Sequence, residues 1–136
     1  MSGDGYRLAA QELAHLLQGN NAQRFEYFVH KVSDWGEVWS LKTANGWVLF
    51  GTNEGEQAAP FWPFREFAQQ CAVAEWSEAF PESIDIGSFV ERWLPGLARD
   101  GRLVAVFPNR SGESSAVRPL DLLECIGREK DRILDD

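Results

Sequence analysis

Two prolines bracket a Phe-Trp pair in the run Ala59-Pro60-Phe61-Trp62-Pro63-Phe64-Arg65-Glu66-Phe67, and this run constrains the fold more than any other. Proline locks its own φ, lacks an N–H and drives the residue before it out of the helical region. The chain is therefore extended up to Trp62 and can turn helical only from Pro63, where a missing first-turn N–H does no harm. Pro60 cannot donate to a ladder, so the extended segment 57–62 reads as an edge strand or a strand end. A strand that feeds straight into an amphipathic helix requires both element types in one fold.

The rest of the chain agrees. Residues 6–18 read as a helix with Leu8, Leu13, Leu16 and Leu17 on one stripe and Gly19 as its stop. Asn20 and Gln23 have the spacing of a capping box for a second helix to about Ser33, whose Phe25, Phe28, Val29 and Val32 share a face. Two helices joined by so short a link form an antiparallel pair. A β-hairpin, 37–42 and 47–51, follows around Asn45-Gly46, a strong turn dipeptide. Phe64, Phe67, Ala68 and Cys71 mark the buried face of the helix after Pro63. A short strand at 83–86 comes next. Asp85 is placed to cap a helix burying Ile86, Phe89, Val90, Trp93 and Leu94, which Pro95-Gly96 should end or kink. The strand 102–107, Arg-Leu-Val-Ala-Val-Phe, is the most apolar and so belongs at the centre of a sheet. Residues 114–118 pair with it, and Pro119 opens a terminal helix to about Ile133. Phe67, Val90 and Val106 should all be buried. The fold expected is α+β, a single domain spanning 1–136. Its mostly antiparallel sheet is packed by helices, with an N-terminal helical pair and disordered tails at 1–5 and 134–136.

Charge narrows the partners. The net charge is −8, and 66–91 holds six acids and no Lys or Arg. A phosphate backbone is repelled by such a surface, so nucleic acid is excluded as a partner. That face either keeps the chain soluble or docks a basic protein. Between Arg92 and Arg110 the balance reverses, with four Arg against Asp100 alone. No apolar run approaches the ~20 residues of a membrane helix. The opening Met-Ser-Gly-Asp-Gly-Tyr has no signal-peptide character, and Cys71 and Cys125 form no CxxC pair. A cytoplasmic protein with reduced thiols is expected.

Six strings carry a resemblance: Arg24-Phe-Glu-Tyr-Phe, Asp34-Trp-Gly-Glu-Val-Trp-Ser-Leu, Asn45-Gly-Trp-Val-Leu, Pro60-Phe-Trp-Pro, Glu91-Arg-Trp-Leu-Pro-Gly-Leu and Val104-Ala-Val-Phe-Pro. With the order of elements, they make the chain similar to a bacterial family known as domain of unknown function 2750. The resemblance runs from about Arg24 to Leu123 and implies a fold and a bacterial origin, with no activity attached. Arg118, where a small capping residue is expected before the last helix, departs from the pattern.

Chemistry is sparse. His15 and His30 lie on separate helices without an HExxH or cysteine-rich neighbourhood, so no metal site is expected. Cys71 sits on an apolar face, where a thiolate is disfavoured, and the serines lack a nucleophile elbow. Carboxylate pairs such as Glu75 and Glu78 lie among other acids and read as solvated. No phosphate-binding glycine loop is present, so no cofactor is expected. Six tryptophans remain. Trp47 and Trp93 fall on core positions. Trp35, Trp39 and Trp62 are candidates for a binding surface, with Arg24 and Arg65 to orient an anionic group, or else for a Trp-rich core with surface ion pairs. Side-chain alternation from an inward Phe61 predicts that Trp62 is partly exposed beside a groove shared with Trp39. The function expected is a non-enzymatic protein-binding or regulatory module, immunity-type among the options. The alternative is a small enzyme or metabolite-binding protein with a site of scattered carboxylates, Arg and Trp.

Overall fold

The computed structural model describes residues 19–51 and 55–135, and the helix expected over 6–18, with His15, lies outside them. The first described helix, α1 (Asn21–Trp35), starts as its sequence dictates. The Asn20 side chain accepts from the Gln23 N–H while Gln23 reaches back to the Asn20 N–H. It ends at Gly36, whose φ of 82° is open to glycine at little cost and whose N–H returns to Val32 O. Strand β1 (Glu37–Thr43) leaves that corner at once and turns through Asn45 into β2 (Gly46–Trp47).

The architecture is α+β, but the strands form two sheets rather than one. β1 sits between β2 and β5 (Phe80–Asp85) in a three-stranded sheet. β3 (Phe50–Gly51), β4 (Gln57–Phe61), β6 (Leu103–Val106) and β7 (Ser115–Val117) form a second sheet in the order β3-β4-β6-β7. The expected strand 47–51 is interrupted at Val48 and Leu49, where the chain passes from one sheet to the other. Among the described residues an isolated antiparallel bridge, Trp39 with Trp62, joins the sheets. β4 and β6 run parallel, while the other pairings are antiparallel.

β4 is thus an inner strand, so of the two positions expected for Pro60 the edge is not found, while the strand end is close to what is seen, one residue before β4 stops. Alternation explains how the proline is tolerated. Phe61 O accepts from the Phe107 N–H at 2.8 Å, so Phe61 turns its polar backbone toward β6. Pro60 and Trp62 turn theirs the other way, toward β1. There Trp62 exchanges two hydrogen bonds with Trp39, of 2.7 and 2.9 Å, and Pro60 O accepts from the Ser40 hydroxyl at 2.6 Å. The donor that proline lacks falls on the seam between sheets, where no continuous ladder asks for it.

Helix α2 (Arg65–Gln70) begins two residues after Pro63, with Phe64 as a cap that offers no side-chain bond. Asp85 caps α3 (Ile86–Ser88), accepting from the Ser88 N–H at 3.0 Å and the Ser88 hydroxyl at 2.8 Å. Of the two outcomes expected at Pro95, an end or a kink, the helix does not take the first. It passes through a π-helical segment, Phe89–Trp93, and continues as α4 (Leu94–Arg99). The Leu94 N–H reaches Phe89 O, five residues back, and the widened turn gives the ring of Pro95 room against the carbonyls before it. The extra residue also rotates the apolar face. Phe89 is fully buried while Val90 is only half-buried, short of the burial expected for it. The last helix, α5 (Pro119–Asp135), runs past Ile133 into the stretch expected as a tail.

The core includes Phe28, Val32, Phe61, Phe67, Phe89, Val104, Val106, Leu122 and Ile126. Both faces of β4 are covered. The ring of Phe61 meets Phe89 at 4.9 Å and Trp93 at 5.8 Å, and the ring of Trp62 meets Trp76 at 6.3 Å.

Candidate functional site

The five candidate residues separate into an inner and an outer set. Trp62 has no solvent exposure, so the partly exposed ring and the groove shared with Trp39 are not found. Its indole Nε1 donates to Pro108 O at 3.0 Å. Alternation along β4 holds, but the face opposite Phe61 is closed by Trp76 and by the turn at Pro108. Arg24 is 1% exposed and is likewise no surface anchor. Trp39 is half-buried against the core. Trp35 and Arg65 are exposed, and Trp35 stands edge-on to Phe64 at 5.5 Å.

What the inner set does is hold one loop. β6 ends at Val106 and the chain turns sharply at Phe107, which has φ of +53°. A bulky residue adopts that conformation only when its surroundings impose it, at a cost of ~1–3 kcal/mol. Arg24, three residues into α1's first turn, supplies the constraint. Its Nε donates to Phe107 O at 3.0 Å, one terminal nitrogen to Gly19 O at 2.5 Å, and the other to Glu113 O at 3.2 Å and to Asn21 Oδ1. Burial pulls its pKa below the usual value while Glu113 opposes the shift, and a guanidinium keeps its proton regardless. Trp62 and the Cys71 thiol both donate to Pro108 O, the thiol at 3.3 Å. Beyond Pro108 the loop ties itself together. Asn109 Oδ1 accepts from the N–H groups of Ser111 and Glu113, and Gly112 N–H bonds back to Asn109 O.

Facing this loop is the corner after α2. Val73 N–H closes a tight turn onto Cys71 O, and Ala74 follows with φ of +54° at the start of the 3₁₀ turn Ala74–Trp76. Between corner and loop lies a cleft of about 470 Å³. Cys71 forms its buried floor, with Leu49, Val73 and Trp76 along one wall and Asn109 to Gly112 along the other. Among the described residues the non-glycine positions with left-handed backbone are Ala74, which lines this cleft, and Phe107, two residues before its loop wall. Arg110 lines it and makes no hydrogen bond or ion pair among the described residues. Nothing in the sequence around Arg110 distinguishes it from other surface arginines. Its position emerges only when Arg24, 86 residues earlier by number, fixes the loop.

Burial pushes the Cys71 thiol up to about 11, so at neutral pH it is a hydrogen-bond donor and not a nucleophile. Among the described residues no group of His, Cys, Asp and Glu has the arrangement of a metal site.

A second cleft, about 480 Å³, lies between α1 and α5 and includes Phe25, His30 and Cys125. Most of its charged side chains are engaged. Glu129 Oε2 accepts from His30 Nδ1 and from Arg132, both at 2.8 Å, and Arg128 pairs with Glu124. No hydrogen bond joins Cys125 to His30, so this is no nucleophile–base pair. The bond from Arg132, and then that from His30, holds the Glu129 carboxyl below its usual value. A depressed carboxylate stabilises the fold above its unfolded pKa, 4.5, and that contribution is lost as pH falls through the lower folded value. Denaturation midpoints taken from pH 6 to pH 3 should therefore fall less steeply in Glu129→Gln than in the wild type. The difference at pH 6 should be within about 1 kcal/mol, as for surface pairs.

The family model described as a protein of unknown function (DUF2750) matches residues 25–126, about three-quarters of the chain. No curated protein and no solved structure matches.

Proposed function

We propose a role for this chain, which belongs to the DUF2750 family of proteins of unknown function, as a non-enzymatic binding module that holds a small ligand in the Cys71–Arg110 cleft. One observation carries the reading. A buried arginine and two further buried donors clamp a strained loop, and that loop presents an arginine with no partner among the described residues over an apolar floor. Strain of this kind concentrates at ligand sites because binding rewards a preset geometry. The enzyme alternative is weaker. The described residues pair no nucleophile with a base, and the buried thiol is held protonated.

Free Cys71 and Cys125 are consistent with the reducing cytoplasm of a bacterium, and no described helix is long and apolar enough to cross a membrane. Docking of a protein partner is a second reading, favoured by Trp35, which is 56% exposed at the end of α1. The exposed acids Glu78, Asp85 and Glu91 would suit a basic one.

A fragment screen by protein-observed NMR tests the main reading. Hits should move the amides of Cys71, Ala74, Trp76 and Arg110–Gly112. Hits confined to Trp35 and Phe64, or spread without preference, would replace it with the second.

A further inference from the structure

Resting on that reading of the cleft, we infer that its ligand is an apolar body ending in a single carboxylate, with Arg110 as the recognising cation. The two walls differ in kind. Cys71, Leu49, Val73 and Trp76 offer thiol, aliphatic and indole surface. The loop opposite has used most of its hydrogen-bonding groups on itself, since Asn109 takes the N–H groups of Ser111 and Glu113 and Gly112 bonds to Asn109 O. Three donors are left: the Arg110 N–H, the Arg110 guanidinium and the Ser111 hydroxyl have no partner among the described residues. Among the described residues no carboxylate lines the cleft. A cation and two neutral donors on one side and apolar surface on the other are the complement of an amphipathic oxyanion.

Charge and shape choose the oxyanion. Arg110 is the one Lys or Arg among the lining residues, in a chain of net charge −8. A monoanion is balanced by it, whereas a dianionic phosphate would enter an acidic protein undercompensated. The planar guanidinium fork matches a carboxylate in two parallel bonds. About 470 Å³ suits a body of one ring and a short chain. Two sources present that chemistry: a free organic acid, or the carboxyl terminus of a peptide with an apolar last residue.

The test compares 4-phenylbutyrate with its neutral amide, with phenyl phosphate, and with N-acetyl-Leu-Phe as free acid and as amide. Each is titrated into wild type, Arg110→Gln and Arg128→Gln, reading affinity by calorimetry and location by amide shifts. Arg110 is exposed and outside the core, so its variant should keep the wild-type spectrum elsewhere. The acid should bind in the cleft at least about tenfold more tightly than the amide, as one charge-assisted bond is worth. Arg110→Gln should erase that preference and Arg128→Gln should leave it. Stronger binding of the dipeptide acid than of 4-phenylbutyrate assigns a peptide terminus, and the reverse assigns a free acid. If acid and amide bind the cleft alike, or phenyl phosphate binds more tightly, the carboxylate assignment is overturned while the cleft remains a ligand site. If no probe shifts the cleft amides, both the assignment and the binding reading fall.

Discussion

Phe67→Ala is expected to lower stability by about 3–5 kcal/mol, a large part of what holds a domain of this size. The ring is fully buried and sits where three elements meet. It touches Phe107 at 4.6 Å on the turn after β6, Tyr27 of α1 at 6.0 Å and Phe64 at 6.0 Å. α2 is only six residues long and its first turn has no side-chain cap, so its own hydrogen bonds cannot keep it in place once the ring is gone. Urea denaturation followed by Trp fluorescence gives the number. A loss under about 1 kcal/mol would show that the surrounding aromatics collapse into the space, and that α2 is held from elsewhere.

Arg24→Ala should cost about as much by a different route, roughly 3–5 kcal/mol, the penalty for breaking a buried charged network from one side. Truncation leaves Phe107 O without a partner in a buried setting and removes the bonds to Gly19 and Glu113 that pin the start of α1 to the loop. It also releases the constraint that keeps Phe107 at positive φ. Arg24→Lys should recover little, because one ammonium cannot reach acceptors arranged around a planar fork. The loop is thereby a second readout. In either variant the amides of Asn109 to Glu113 should exchange faster with solvent than in Phe67→Ala at matched stability. If Arg24→Lys restores wild-type stability, Arg24 acts as a charge alone and the clamp has been misread.

These two residues mark how far the sequence could be read. Phe67 was legible because it recurs at helical spacing with Phe64 and Cys71 after a proline that opens the helix. The Asn20–Gln23 capping box, the Asn45-Gly46 turn, the Asp85 cap and the apolar β6 were legible for the same reason: each depends on atoms within a few residues, where covalent geometry leaves few choices. The family resemblance was visible too, and the match over 25–126 bears it out.

Tertiary structure decided the rest. Alternation separated Phe61 from Trp62 correctly, but it states only that two side chains point apart. Whether the second face meets water depends on Pro108, 46 residues away, and on Trp76. Arg24 looked like a helix-end cation available to a ligand because its acceptors, Phe107 O and Glu113 O, lie 83 and 89 residues along the chain. Pro60 argued for an edge because a ladder needs its N–H, and only the seam with β1 shows that no ladder runs on that side. By itself the sequence determined most of the described elements, their order and the acidic charge, since these follow from local sterics and composition. Which aromatics became core, which arginine became a clamp and which was left facing a cleft were settled by contacts between distant segments, whose backbone carbonyls carry no residue-type signal.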